Sequence, residues 1–125
     1  MHKKIHYHDT DCGGVVYYAN YLKYFEEART EFMLEKGVDL RQLSKQGVLF
    51  AVKSTEVEYK APAHYGDDLL IRTDITKIKN VTLEFDQSAE KEGKVLVTAK
   101  TKVVCIDKDF RPSPILKEVI ECLNK

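Results

Sequence analysis

Between Leu49 and Asp107 the chain contains four stretches in which apolar and polar residues alternate, separated by short connections. They are "LFAVKSTEVEY", "LLIRTDITKI", "TLEFDQSAE" and "KVLVTAKTKVVCID". In the second, Leu69, Ile71, Thr73 and Ile75 fall on one face, and in the third Leu83, Phe85 and Ala89 do so. In the fourth, Val95, Val97, Ala99, Val103 and Cys105 share a face with Thr101. A period of two is the mark of a half-buried strand. The polar segments "KNVT" and "EKEGK" separate the last three, and Pro62 and Gly66 mark the connection before the second. Strands joined this closely pair antiparallel, because a parallel crossover needs a dozen or more residues.

Ahead of these strands runs "NYLKYFEEARTEFMLEKG". Tyr21, Phe25, Ala28 and Phe32 recur at helical spacing, flanked by Leu22 and Arg29, so one face of a helix is apolar. Asn20 is placed to cap its start and Gly37 to end it. The span from Asn20 to Lys36 predicts a rod about 26 Å long. "DLRQLSKQG" predicts a short second helix, with Asp39 and Gln42 as a variant capping box and Gly47 as the stop. Lys3 to His8 alternates weakly and reads as a first strand. The C-terminal "SPILKEVIECLNK" predicts a last helix capped by Ser113, with Pro114 first and an apolar stripe of Ile115, Leu116, Val119, Ile120 and Leu123. One long helix with one apolar face needs a sheet to cover it. The economical arrangement is α+β, a five-stranded antiparallel sheet curved around the long helix.

The chain has 125 residues, 43% of them hydrophobic, which predicts one domain over residues 1–125 with one core. Twenty basic and 20 acidic residues give no net charge, which argues against a nucleic-acid binder dependent on a basic surplus. No apolar run reaches the roughly 20 residues of a membrane span, and "MHKKIHYHD" lacks the apolar segment of a secretory signal. Cys12, Cys105 and Cys122 are odd in number and not closely paired, and they read as reduced thiols of a cytoplasmic protein.

Chemistry concentrates in "HDTDCGGVVYYANY", His8 to Tyr21. Gly13 and Gly14 permit close backbone approach and positive φ. The following helix start offers N–H groups without intrahelical acceptors and a partial positive charge. An aspartate carboxylate, ionised at neutral pH, can attack a carbonyl or take a proton from water. A donor aimed at the oxygen of a carbonyl under attack is worth about 3 kcal/mol. Asp11 is thus either a helix cap or turn-former, or a residue placed to do chemistry, and Asp9 an acceptor of loop N–H bonds. Asn20 is either a cap or a substrate contact. Tyr17, Tyr18 and Tyr21 either line an acyl pocket or belong to the core or an interface.

The same stretch, extended to "DTDCGGVVYYANYLKYFEEARTEF" and joined by "VEYKAPAHYGDDLLIRTDI" and "VVCID", resembles the YbgC-type acyl-CoA thioesterases, relatives of hydroxybenzoyl-CoA thioesterase in the hotdog-fold superfamily. The resemblance covers nearly the whole chain. It implies a five-stranded sheet around a central helix, dimers often paired into tetramers with active sites at subunit boundaries, and hydrolysis of an acyl-CoA to a carboxylic acid and CoA. It implies no metal, and no cofactor beyond the CoA of the substrate. By the family's pattern the second aspartate of D-T-D, Asp11, is catalytic, and the N–H of Tyr18 holds the thioester oxygen. Many YbgC-type members have histidine where this chain has Tyr18, whereas the hydroxybenzoyl branch has tyrosine. A role carried by a backbone N–H survives that exchange. The resemblance also places CoA phosphate contacts near Lys77, Lys79 and Asn80, with Lys60 a weaker candidate of the same kind; solvated turn lysines are the competing reading.

His6 and His8 share a strand face, but two ligands are too few for a metal site. Cys12 reads as a small loop residue, since no motif supplies it with a base, and His64 as an exposed loop residue. Two other functions compete with hydrolysis. A hotdog dehydratase acting on hydroxyacyl thioesters needs a histidine, which the segment from Asp9 to Gly37 lacks. A non-catalytic acyl-CoA-binding module has no use for Asp11.

Overall fold

The computed structural model describes residues 1–11 and 13–125. The reading of Cys12 as a loop thiol lies outside the described residues. The elements in chain order are β1 (His2–Lys4), a 3-10 turn (Tyr7–Asp9), α1 (Asn20–Glu35), α2 (Leu40–Lys45), β2 (Leu49–Tyr59), β3 (Asp68–Ile78), β4 (Thr82–Lys91), β5 (Lys94–Ile106) and α3 (Lys117–Leu123). The strands form one five-stranded sheet in the order β1-β3-β4-β5-β2, with every neighbouring pair antiparallel. This is the expected hotdog architecture, with the long helix laid against one face of the sheet.

Along α1 the buried residues are Tyr21, Tyr24, Phe25, Ala28 and Met33. The first four pack with Leu69, Ile71, Ala89, Val97 and Ala99 of the sheet. Met33 belongs to a second cluster with Val38, Leu83, Phe85, Val103 and Cys105, which α3 closes through Val119 and Leu123. The helix ends on Gly37, whose φ of 93° admits the left-handed turn. There Val38 N–H bonds the Met33 carbonyl at 2.8 Å and Gly37 N–H that of Leu34 at 2.9 Å.

Several sequence expectations are corrected. The first strand ends at Lys4, because the Asp9 carboxylate captures the His6 N–H at 2.8 Å and curls the chain into a 3-10 turn. Asn20 does not cap α1: Ala19 holds the N-cap position without a side-chain cap, and the Asn20 amide donates to the Asp9 carbonyl at 2.9 Å. Asp39 caps α2 through the Arg41 N–H alone. Ser113 and Pro114 stay outside α3. The Ser113 N–H bonds the Cys105 carbonyl and the Ile115 N–H that of Asn80, which keeps this segment extended until the helix begins at Lys117. A bulge between Ala89 and Glu90 shifts the β4–β5 register, so Leu96 is buried where alternation had placed Val95.

One buried polar group ties the layers together. Gln87 of β4 donates to the Phe25 carbonyl of α1 at 2.9 Å and to Thr73 Oγ1 of β3 at 3.0 Å. Its own oxygen accepts from Arg29 Nη1 at 3.1 Å. Burial holds the Arg29 guanidinium below its ordinary pKa. Sequence alternation put polar Gln87 on the face of Phe85 and Ala89, and it is this network that makes its burial tolerable.

Candidate active site

The loop between the 3-10 turn and α1 is fixed by backbone bonds on both sides. Asp11 N–H bonds the Val15 carbonyl at 2.9 Å and Gly14 N–H the Asp11 carbonyl at 3.0 Å, which closes a tight turn. Val16 N–H bonds the Ala63 carbonyl at 2.8 Å, Tyr65 N–H that of Gly14 at 3.2 Å, and Val15 bridges to His64. Asp67 supports that second loop by accepting the His64 N–H at 2.8 Å and pairing with Lys91 at 2.8 Å. Burial acts to raise the Asp67 pKa, but the Lys91 and His64 partners outweigh it and the net shift is downward.

Asp11 stands exposed at the head of the turn, and its Oδ1 accepts the Gly13 N–H at 2.8 Å. This is the geometry of an aspartate turn, and it also fixes the carboxylate in one orientation. A Cβ on Gly13 would lie 3.2 Å from that oxygen, so a larger residue there would require the carboxylate to shift by a few tenths of an ångström. Gly14 has a φ of 78°, which favours glycine at the bend. Asp9 is the structural member of the pair. It is buried, and its carbonyl accepts both the Tyr17 N–H at 3.1 Å and the Asn20 amide. Burial acts to raise its pKa, but the His6 N–H, the Tyr24 phenol, His8 and Lys3 together draw it below the ordinary carboxylate value.

Behind the turn, α1 begins with open donors. The N–H groups of Tyr18 and Ala19 have no hydrogen-bond acceptor among the described residues. Beside them lies a cleft of about 540 Å³ lined by Val16, Tyr18, Tyr21, Tyr59, Lys60, Ala61 and Pro62. Its aromatic wall runs from surface to core. Tyr17 stacks on Tyr18 at 4.9 Å, Tyr18 meets Tyr59 at 5.8 Å, Tyr59 meets Tyr21 at 5.9 Å, and Tyr21 meets Tyr24 at 5.7 Å. The Tyr21 hydroxyl is buried without a hydrogen-bond partner among the described residues, and burial pushes its pKa up to about 12. Burial, then the neighbouring Asp9, pushes the Tyr24 phenol upward as well.

The expected residues fall into three groups. Tyr18, Tyr21 and Lys60 share the cleft. Asp11, Gly13 and Gly14 form the adjacent turn and do not line that cleft within one chain. Lys77, Lys79 and Asn80 lie at the far end of β3, about 30 Å along the strand from the loop at Asp67. There Lys79 pairs with Glu84 at 3.4 Å and the Asn80 carbonyl holds Ile115. His6 and His8 stack at 5.6 Å, and among the described residues no cluster of three or more His, Cys, Asp or Glu side chains is placed to hold a metal. A second depression of about 610 Å³ opens among Glu56, Arg72, Asp74, Asp86 and Lys100 of the sheet. It is a field of cross-strand charges that shares no lining residue with the tyrosine cleft. Tyr59 was not anticipated as a site residue. "VEY" places it at a strand end, and only the folded chain brings it to Tyr18.

A hotdog sheet laid against one long helix thus carries an exposed carboxylate turn just ahead of uncapped helix donors. Residues 5–123 match the model of the thioesterase-like superfamily, and the chain belongs to that family. It is 37% identical over 119 residues to the acyl-CoA thioester hydrolase YbgC of Escherichia coli, covering 94% of this chain and 89% of that protein. It is 36% identical over 118 residues to the acyl-CoA thioesterase YbgC of Haemophilus influenzae, covering 93% and 87%. Among solved structures it superimposes on a gentisyl-coenzyme A thioesterase with a TM-score of 0.90 at 28% identity, covering 96% of this chain and 98% of that one.

Proposed function

We propose that this protein hydrolyses the thioester of an acyl-CoA, releasing a carboxylic acid and free CoA, with Asp11 as the catalytic carboxylate. The observation that carries the reading is the placement of Asp11, fixed by the Gly13 N–H in the turn that leads into an α1 start with two open donors. The carboxylate oxygen not engaged by Gly13 either attacks the thioester carbonyl or takes a proton from the attacking water. The Tyr18 N–H, assisted by the positive end of α1, receives the charge that develops on the carbonyl oxygen. Water is the co-reactant: a C–O bond forms, the C–S bond breaks, and the thiolate leaves with a proton. No cofactor enters beyond the CoA of the substrate.

The acyl group occupies the tyrosine-lined cleft, whose wall is largely apolar. Within one chain Asp11 is not among the residues that line this cleft. That favours a site completed by a second copy of the chain, in a homodimer or homotetramer. Lys77, Lys79 and Asn80 of that copy then remain candidates for the CoA phosphates, together with Lys60. Cys105 and Cys122 are free thiols, which suits an enzyme of the reducing cytoplasm.

The test is release of free thiol from short, long and aromatic acyl-CoAs. The wild type is expected to release thiol and Asp11→Asn not to. Protection against melting by an acyl-CoA without thiol release would instead make the protein a binding module. Full activity in a protein shown to be monomeric would remove the shared-site arrangement.

A further inference from the structure

Two consecutive peptide planes set the direction of the open donors at the α1 start. In a trans peptide the C=O and N–H point opposite ways, so whatever grips the carbonyl aims the amide. The Tyr17 carbonyl is gripped by the Asn20 N–H at 2.9 Å, which orients the Tyr18 N–H. The Tyr18 carbonyl is gripped within the helix only by the Tyr21 N–H at 3.3 Å, a long bond. A second grip comes from outside the helix, where the Tyr59 hydroxyl donates to the same carbonyl at 3.1 Å.

Tyr59 is the last residue of β2, the edge strand, where it pairs with Val97 of β5. Its ring stands edge-on to both Tyr18 and Tyr21, which fixes the direction of its hydroxyl. The helix does not need this bond for its own satisfaction, since the Tyr18 carbonyl already has a partner. The effect of the bond is to hold the Tyr18–Ala19 peptide against rotation. Preorganised donors stabilise a developing oxyanion because they need not reorient during reaction.

We infer that Tyr59 is a positioning residue for hydrolysis: its hydroxyl locks the Tyr18–Ala19 peptide so that the Ala19 N–H joins the Tyr18 N–H, already set by the Tyr17 carbonyl, in facing the thioester oxygen. The inference rests on the acyl-CoA thioesterase reading and adds to it a residue from the sheet edge, remote in sequence from the catalytic loop.

Tyr59→Phe keeps the ring and the cleft wall and removes only the hydroxyl. In steady-state hydrolysis of an acyl-CoA accepted by the wild type, it is expected to lower kcat about tenfold, the scale of one hydrogen bond. KM should stay within about twofold, since the cleft wall is intact. Tyr59→Leu, which removes the wall too, should raise KM as well. Hydrogen exchange supplies a readout that needs no turnover: the amides of Asn20, Tyr21 and Leu22 should exchange about five- to tenfold faster in Tyr59→Phe, with α1 beyond Phe25 unchanged. An unchanged kcat, a loss expressed in KM alone, or unchanged exchange in the first turn would overturn the inference. If the wild type releases no thiol from any acyl-CoA, the hydrolysis reading falls by itself. The exchange rates then still decide whether Tyr59 holds the turn.

Discussion

Midway along α1 the helix meets the sheet through Phe25, Ala28 and the Gln87 network. There the Phe25 carbonyl, Thr73, Gln87 and Arg29 all find partners. At its first turn the same helix has no side-chain cap, two N–H groups without acceptors among the described residues, and Tyr17 and Tyr18 exposed beside a cleft. The middle is satisfied to the last polar atom of Gln87, whereas the first turn is left incomplete beside an exposed carboxylate. Unmet donors at a helix start weaken the fold slightly and are retained where a ligand can meet them. The contrast divides the helix into a part that holds the structure and a part that the proposed mechanism assigns to the substrate.

Four substitutions probe that division. The largest effect is expected for Asp11→Asn, which should cut thiol release by about 100-fold or more while leaving Tm unchanged within a degree or so. A matching fall in Tm would mean that the turn is structural after all. Gln87→Leu addresses the other part: it strands the Thr73 hydroxyl and Arg29 and should cost about 1–3 kcal/mol of stability. Thermal melting would show this as a Tm lowered by roughly 5–10 °C. The kcat of the remaining folded protein should be near wild type, and a large loss of kcat at full folding would erase the distinction between the two parts.

Asp9 lies between the two regions, and pH tests it. Its folded-state pKa lies below the ordinary carboxylate value, so its contribution is fully present above that value and is lost as pH falls through the lowered one. Asp9→Asn should cost about 1–2 kcal/mol at neutral pH by removing charge-assisted bonds. It should also flatten, without abolishing, the acid limb of a stability–pH curve, because Asp67 contributes in the same direction. An unchanged acid limb would show that Asp9 is not titrating there. The smallest effect is expected for Gly14→Ala. Space exists for the methyl group, so only the left-handed backbone is strained, at about 1 kcal/mol. Activity should fall more than stability, because Gly14 N–H is bonded to the Asp11 carbonyl.

Much of the architecture was legible before folding. The four alternating segments became β2 to β5, and the heptad-like spacing of Tyr21, Phe25 and Ala28 became the buried face of α1. What failed were positions where a backbone group found a partner remote in sequence or a side chain competed with it. Asp9 ended β1 early, Asn20 served the Asp9 carbonyl instead of a cap, and Cys105 and Asn80 held the chain around Ser113 extended. The candidate site was legible only where it is local in sequence. The Asp11 turn and its glycines were marked by residue type and spacing, whereas Tyr59 carried no mark beyond its strand.

The sequence by itself determined the elements, because period and turn chemistry are local properties, and it set Asp11 a few residues ahead of a helix start. Only the tertiary structure decided which strand ends reach that start and which donors stay open. Pairing β2 with β5 brings Tyr59 to the Tyr18 carbonyl across 41 residues of chain, a contact set by sheet register rather than by any neighbour in sequence.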